Sequence, residues 1–240
     1  MMTTPLLMAL GIATAAGLMR GFAGVGSGMM MAPVFAILFG PVDTVGIIIL
    51  MELVVTAQLL PGTHRDIAWR TIGPLGAAAA LFMPLGSWLL ISMDADFVAR
   101  SMAAVVLVFS AVLMLGWRYE GEKRLPATLG VGALSGVLMA ATSLGNPPVM
   151  MYLLSSRDAA AVNRANFTGY FALTLVALIL LMSFKSLLSF TAIKTAAIML
   201  PVFMIGAWIG GRLFRQSSEA LYRRVALLIL MAIGIFGILR

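Results

Sequence analysis

The composition of this chain and the distribution of its apolar residues predict an all-α integral membrane fold. Of its 240 residues, 62% are hydrophobic and 10% are charged, and the mean hydropathy is +1.06. Soluble domains are about half apolar and about a quarter charged. The apolar residues form long blocks, and the longest polar stretch between them, residues 118–126, is too short to fold as a separate soluble domain.

Six apolar blocks are long enough to cross a bilayer, since a crossing takes roughly 20 residues. They lie near 44–62, 71–92, 98–117, 167–184, 190–211 and 222–239. Before each group of three lies a longer segment interrupted by glycine and proline, 5–40 and 127–155. Each interrupted segment is either two short spans or a re-entrant hairpin of two half-helices, which makes eight to ten membrane helices in all.

The two interrupted segments match each other in sequence. Three pairs of residues are each 115 apart: Gly17 and Gly132, Gly21 and Gly136, and Pro33 and Pro148. Further along, Gly86-Ser-Trp88 matches Gly206-Ala-Trp208 at an offset of 120. We therefore predict an internal duplication, with a first transmembrane repeat over 1–120 and a second over 121–240, integrated into one membrane domain.

The Lys and Arg residues indicate how the repeats are oriented. If each interrupted segment enters and leaves on the same side, eleven basic residues share one face: Arg65, Arg70, Arg118, Lys123, Arg124, Arg157, Arg164, Arg212, Arg215, Arg223 and Arg224. The opposite face then holds Arg100, Lys185, Lys194 and Arg240. The positive-inside rule favours this arrangement, with the basic loops in the cytoplasm and both termini outside. Three spans plus a returning segment give an odd number of crossings, so the second repeat is predicted to be inverted.

Broken helices inside a membrane point to a functional site. Lipid cannot pair the backbone groups that a break exposes, so breaks survive where they line a protein cavity, and in transporters they mark the substrate site. A new short helix is predicted after each break, near Gly28–Phe39 and Pro147–Leu154. Helix N-termini expose unpaired N–H groups and carry a partial positive charge, so two facing N-termini predict a site for a small anion.

The candidate substrate-binding residues surround the two breaks: Arg20, Gly24, Gly26, Ser27, Gly28, Ser143, Gly145, Asn146 and Pro147. The alternative is that glycine-rich stretches only allow helices to pack closely. We prefer that alternative for Gly17, Gly21, Gly132 and Gly136. Arg20 either adds positive charge to the anion site or extends to the membrane interface.

Glu52 is the candidate proton-coupling residue. It lies near the middle of the span 44–62, where an ionisable side chain is costly and marks function by default. It either carries a proton, pairs with Arg20, or makes a structural hydrogen bond to a neighbouring helix. Secondary candidates are polar residues that also serve as hydrogen-bonding links between membrane helices: Thr56, Gln58, Asn163, Asn166, Thr168 and Tyr170.

Several other functions are disfavoured. The net charge of +7 fits basic membrane loops, because nucleic-acid binding needs a basic face on a soluble module. Neither a cofactor nor a metal is predicted: cysteine is absent, phosphate-loop and dinucleotide motifs are missing, and Asp94 with Asp96 is a poor metal site. An enzyme is not predicted, because Ser27 lacks a buried base. Residues 1–20 lack the basic start of a signal peptide and are expected in the mature protein.

At the two breaks the chain resembles the sulfite exporter TauE/SafE family, which includes the 4-toluene sulfonate uptake permeases (the TSUP family), and the resemblance covers nearly the whole chain. Three stretches carry it: Gly21-Phe-Ala-Gly24-Val-Gly26-Ser-Gly28 through Pro33, Gly136 through Gly145-Asn-Pro-Pro-Val149, and the polar loop His64-Arg-Asp-Ile-Ala-Trp69. The family's first motif usually has consecutive glycines, whereas here Ser27 separates two. The second keeps one glycine, Gly145, followed by Asn146.

The resemblance implies secondary transport of sulfur-containing anions, such as sulfite, sulfoacetate or organosulfonates, across the inner (plasma) membrane of a bacterium. We therefore predict an alternating-access carrier coupled to protons or to the membrane potential. Its expected partners are a small anion, the lipid bilayer and protons. The alternatives are an anion channel and a carrier of a non-sulfur organic anion. Neither the direction of transport nor the oligomeric state follows from the sequence.

Overall fold

The computed structural model of the protein describes residues 4–23, 26–115, 124–153 and 160–214, together with Met231 and Ile235. All regular secondary structure in these residues is helical: α1 (Thr4–Ala23), α2 (Ser27–Phe39), α3 (Pro41–Thr63), a 3₁₀ turn (His64–Asp66), α4 (Trp69–Ser92), α5 (Ala95–Met114), α6 (Leu125–Thr142), α7 (Asn146–Leu153), α8 (Ala160–Phe184) and α9 (Phe190–Phe214). Six of these helices, namely α3, α4, α5, α6, α8 and α9, are long and apolar enough to cross a membrane. The all-α integral membrane fold is confirmed.

The predicted spans correspond closely to the helices. Five of the uninterrupted spans coincide with α3, α4, α5, α8 and α9. The sixth, 222–239, lies outside the described residues apart from Met231 and Ile235, which are helical. Each interrupted segment contains two helices, α1 with α2 and α6 with α7, and the second helix of each begins within one residue of its predicted start.

The second interrupted segment is an antiparallel pair of helices. The hydroxyls of Thr128, near the start of α6, and Tyr152, near the end of α7, are 2.5 Å apart. Ser135, in the middle of α6, donates a hydrogen bond to the carbonyl of Gly145, directly before α7. The chain therefore turns back at residues 143–145 and returns towards the side from which α6 starts. We call residues 125–153 the second hairpin.

The first interrupted segment also turns back. α2 begins beside the middle of α3, where Ser27 donates a hydrogen bond to Glu52, and it ends at Gly40, directly before α3 starts. α1 runs in the direction opposite to α2. It lies parallel to α9, and α9 starts beside the start of α3, where Gly46 faces Ala192. α1 therefore runs in the direction of α3, whereas α2 runs against it. We call α1 and α2 together the first hairpin. Both interrupted segments are thus antiparallel helix pairs, which either of the two forms would give, and the choice between two short spans and a re-entrant hairpin stays a prediction.

The two hairpins pack reciprocally against the opposite half of the chain. α1 packs against α9, and α6 packs against α4 in the same manner. At each interface two glycines lie directly on the partner backbone, where an added Cβ would overlap a main-chain oxygen: Gly17 on Phe203, Gly21 on Ala207, Gly132 on Leu75 and Gly136 on Ala79. The interpretation of these four glycines as close-packing residues is confirmed.

The contacts also correct the alignment of the later helices. Leu75 and Phe203 hold equivalent places and are 128 residues apart. By contrast, Gly86 lies against Val137 in the second half of α6, whereas Gly206 lies against Thr14 in the middle of α1. The Gly86 and Gly206 triplets at offset 120 therefore do not mark equivalent contacts, because the glycines meet their partner helices at different heights.

Corresponding helices of the two halves run in opposite directions. Gly46, near the start of α3, faces Met182 near the end of α8, and Gly169, in the first half of α8, packs on Ile67 just after α3. Since α1 runs with α3 and α6 runs with α4 and α8, the two hairpins enter the bundle from opposite sides. This packing is what two inverted repeats would produce; their boundary at residues 120 and 121 lies outside the described residues and stays a prediction.

Candidate functional site

The two breaks meet inside the bundle. A Cβ added to Gly28, in the first turn of α2, would lie 3.1 Å from the carbonyl oxygen of Ser143, directly after α6. Gly26 and Ser143 both adopt left-handed backbone conformations, with φ of 95° and 62°. Glycine adopts this conformation freely, but for serine it is unusual. We call the region around Gly28 and Ser143 the junction.

The junction is enclosed by protein and rich in polar groups. Ser27, Ser143 and Asn146 are all buried, at 0%, 2% and 6% exposure. The N-terminus of α2 has no side-chain cap, so its first N–H groups are not satisfied in the usual way. Asn146 begins α7, and Pro147 follows in the first turn and is also buried. Non-helical backbone at membrane depth is tolerated only where it is buried in protein or lines a cavity, and the residues of the junction are buried in protein.

A charged pair lies beside the junction. The Nε atom of Arg20 is 2.9 Å from Oε2 of Glu52, and the two side chains are 1% and 3% exposed. Arg20 also donates from Nη2 to the hydroxyl of Thr56, at 3.0 Å, and the ring of Phe171 lies 4.4 Å from its guanidinium carbon. Arg20 is therefore held inside the bundle and does not extend to the membrane interface.

Glu52 links the charged pair to the break. One carboxylate oxygen faces Arg20 on α1, and the other accepts the hydrogen bond from Ser27, the first residue of α2. The pairing of Glu52 with Arg20, one of the alternatives for this residue, is thus present in the structure. A buried ion pair of this type gains little net stability when intact, but it leaves an uncompensated buried charge when one partner is lost.

The second hairpin carries a neutral counterpart of this pair. Ser135 lies 115 residues after Arg20, the same offset that relates the glycines of the two hairpins. Its hydroxyl is 2.5 Å from that of Tyr170 on α8 and donates to the carbonyl of Gly145. Gly145 has no room for a side chain, since an added Cβ would lie 2.6 Å from that of Met139.

Two polar atoms at the second break have no hydrogen-bond partner among the described residues. They are Oγ of Ser143 and Oδ1 of Asn146, and each is buried. An unsatisfied buried polar atom costs free energy, so native structures rarely retain one without a reason such as a ligand. Together with the uncapped start of α2, these atoms make the junction the best candidate for a binding site.

The secondary candidates fall into different environments. Thr56 contacts Arg20, and Tyr170 contacts Ser135, so both belong to the layer around the junction. Asn166 accepts a hydrogen bond from the backbone of Ala68, at 2.8 Å, and thereby secures the start of α4. The structure therefore places Asn166 at a helix end.

The remaining candidates are less informative. Asn163 and Thr168 are buried in α8, whereas Gln58 is exposed on α3 and faces away from the bundle interior. Gly24 lies outside the described residues. Sequence reasoning missed Ser135, although its offset from Arg20 was a usable signal, and it missed Phe171, for which no signal exists in the sequence.

The chain also matches a known protein family. The family model described as Sulfite exporter TauE/SafE matches residues 9–237. No curated protein and no solved structure shows a match. The family is one of transporters, which accords with the expectation that the chain is not an enzyme, and membership implies a multi-pass membrane transporter of sulfur-containing anions such as sulfite. The chain belongs to the sulfite exporter TauE/SafE family.

Proposed function

We propose that the chain is a secondary carrier that moves sulfite, sulfoacetate or an organosulfonate across the inner membrane by alternating access, with the anion bound at the junction. The observation that carries this proposal is the meeting of two helix breaks, Gly28 against Ser143, beside a buried arginine. The proposal includes two inverted repeats, 1–120 and 121–240, both termini on the periplasmic side and the basic loops in the cytoplasm.

The groups at the junction suit an oxyanion with three oxygens. The start of α2 offers backbone N–H groups and the positive end of a helix dipole. Ser143 adds a hydroxyl, and the amide of Asn146 presents either its oxygen or its NH₂ group after rotation. Arg20 lies within reach of the same place, because it shares the carboxylate of Glu52 with Ser27.

A carrier fits this geometry better than a channel. The residues of the junction are buried, and a site at the interface of inverted repeats is the arrangement on which alternating access depends. Each hairpin packs mainly on the opposite half of the chain. Alternating access would open the junction to one side at a time.

Uptake of ³⁵S-sulfite into proteoliposomes tests the proposal. Wild-type protein should give saturable uptake and counterflow, and Gly28→Leu, which fills the space in front of Ser143, should reduce uptake at least tenfold. The matched control is Gly130→Leu on α6, where nothing lies within 4 Å of an added Cβ. Full transport by a folded Gly28→Leu protein would exclude the junction as the site, and steady single-channel currents would favour an anion channel.

A thermal-shift panel on purified protein tests the class of substrate. We expect sulfite, thiosulfate or sulfonates to raise the melting temperature, because a ligand that binds only the folded state stabilises it. Taurine and aromatic sulfonates extend the panel in charge and size, and phosphate and acetate serve as comparisons without sulfur. A shift with acetate alone would instead support a carrier of non-sulfur organic anions.

A further inference from the structure

The described charges at the junction sum to zero. Arg20 on α1 and Glu52 on α3 form the pair, and α2, α6 and α7 contribute no Lys, Arg, Asp or Glu. On the other neighbouring helices, Tyr170 of α8 faces Ser135, and Lys194 and Arg212 of α9 are exposed. Among described side chains, Glu52 therefore has one charged neighbour, Arg20.

The other acid of α3 lies in a separate place. Asp43, in the first turn, accepts a hydrogen bond of 2.8 Å from Ser189, at the start of α9. It lies more than two helical turns from Glu52 in sequence and is only partly buried. Asp43 thus provides a carboxylate on the same helix that does not contact Arg20, Ser27 or Thr56.

We propose that this carrier moves one singly charged anion together with one proton, and that Glu52 carries the proton. The inference rests on the proposed function and specifies its coupling. Without substrate, the carboxylate of Glu52 pairs with the guanidinium of Arg20. With substrate, the proton neutralises Glu52 and the anion takes its place beside Arg20.

The exchange balances in charge. A proton from the aqueous phase bonds to a carboxylate oxygen of Glu52, and the contact with Arg20 Nε is replaced by a contact with the oxyanion. The site then holds one positive and one negative charge, as it did when empty. Release on the other side reverses both changes, and the O–H bond breaks as Arg20 and Glu52 pair again. Both occluded forms stay neutral, which avoids burying a net charge in a medium of low dielectric constant.

This charge count selects the substrate. Hydrogensulfite and sulfonates such as methanesulfonate carry one negative charge and satisfy it. Sulfite and sulfoacetate carry two, and one of them in this site with protonated Glu52 would leave a buried net charge. The proposal therefore favours singly charged sulfur oxyanions over doubly charged ones at the same junction.

Transport by the wild-type protein in proteoliposomes tests the stoichiometry directly. With ¹⁴C-methanesulfonate as the probe, which keeps one negative charge across this pH range, a gradient of one pH unit should support about tenfold accumulation, because each proton equivalent corresponds to a factor of ten. A potassium diffusion potential set with valinomycin should leave the rate unchanged, and excess sulfoacetate should compete poorly. Uptake that follows the membrane potential, or accumulation that ignores the pH gradient, would overturn the inference.

Two substitutions on α3 locate the proton. Glu52→Gln resembles the protonated carboxyl, so this variant should retain counterflow and lose accumulation driven by the pH gradient, from about tenfold to about one. Asp43→Asn is the matched control and should accumulate like wild type. A Glu52→Gln protein with full gradient-driven accumulation would contradict the assignment to Glu52, and if this variant does not fold, the wild-type measurements decide the stoichiometry.

The same experiment separates the two levels of the argument. Loss of saturable uptake for every sulfur probe in wild-type protein would refute the proposed function itself. Saturable uptake that carries net charge would leave the function in place and refute the neutral one-to-one coupling.

Discussion

The two hairpins share a backbone arrangement but differ in chemistry. Arg20 of the first hairpin forms a buried charged pair with Glu52 on α3, and Ser135 of the second forms a buried pair of hydroxyls with Tyr170 on α8. Both pairs join the first helix of a hairpin to the long helix that follows it. The two hairpins therefore share their close packing, whereas a buried charged residue is found in the first hairpin and not in the second.

Under the proposed function, this asymmetry assigns support of the site to the second hairpin and recognition of the anion to the charged pair. Serine and tyrosine hydroxyls keep their protons within the physiological pH range, so the second hairpin is suited to hold a fixed geometry. A carboxylate beside a guanidinium can exchange partners with an incoming anion. Under the proposed coupling, the junction combines a constant half with a half whose charges respond to substrate.

The largest expected effect tests what the hairpins have in common. Gly21→Ala and Gly136→Ala each place a methyl group on the backbone of the partner helix, Ala207 or Ala79, so neither variant should yield folded protein. Fluorescence-detected size-exclusion chromatography measures the loss. Gly11→Ala is the control on α1, because nothing lies within 4 Å of its added Cβ. If only one of the two variants failed to fold, the common packing would be in doubt.

The next effect tests the charged pair. Arg20→Ala leaves Glu52 buried without a charged partner, and we expect a loss of about 3–5 kcal/mol in the free energy of unfolding. The double variant Arg20→Ala/Glu52→Ala should recover much of this stability, since neither charge remains. Thermal unfolding in detergent gives both values. A double variant no more stable than Arg20→Ala would show that the pair is not coupled.

A smaller loss is expected in the hydroxyl pair. Ser135→Ala removes the partner of the Tyr170 hydroxyl and of the Gly145 carbonyl, which should cost about 1–3 kcal/mol. The control is Ser101→Ala on α5, where the hydroxyl bonds only the carbonyl of Phe97 in its own helix. A loss for Ser135→Ala as large as that for Arg20→Ala would remove the contrast between the hairpins.

The smallest effect concerns the turn of the second break. Ser143 has a φ of 62°, a conformation that glycine adopts without steric cost, so Ser143→Gly should raise stability by up to about 1 kcal/mol. The same change removes an unpartnered hydroxyl, and binding of sulfite should weaken. Paired melting curves with and without sulfite measure both. Unchanged binding would exclude the Ser143 hydroxyl from the site.

Local sequence patterns predicted most of the helices and the starts of α2 and α7, because crossing length, glycine and proline act within a few residues. The partners of the predicted site residues were beyond such patterns. The sequence left a proton-carrying role, a pair with Arg20 and a hydrogen bond to a neighbouring helix open for Glu52, and only the tertiary structure brought Arg20 and Ser27 to its carboxylate. The alignment of α4 with α9 was wrong for the same reason. The Gly86 and Gly206 triplets match as local patterns, but tertiary contacts place these two glycines at different heights on their partner helices.

Hydrophobicity and backbone chemistry alone required a membrane protein with two broken segments, because lipid excludes unpaired polar groups and tolerates breaks only inside protein. Whether those segments turned back, and what they met, depended on tertiary contacts, among them Thr128 with Tyr152 and Gly28 with Ser143. The approach of Gly28 to Ser143 follows from how the two halves pack. The contacts of Arg20 with Glu52 and Thr56 follow from how α1 lies beside α3 within the first half. Packing of this kind is collective, so the junction exists only in the folded bundle.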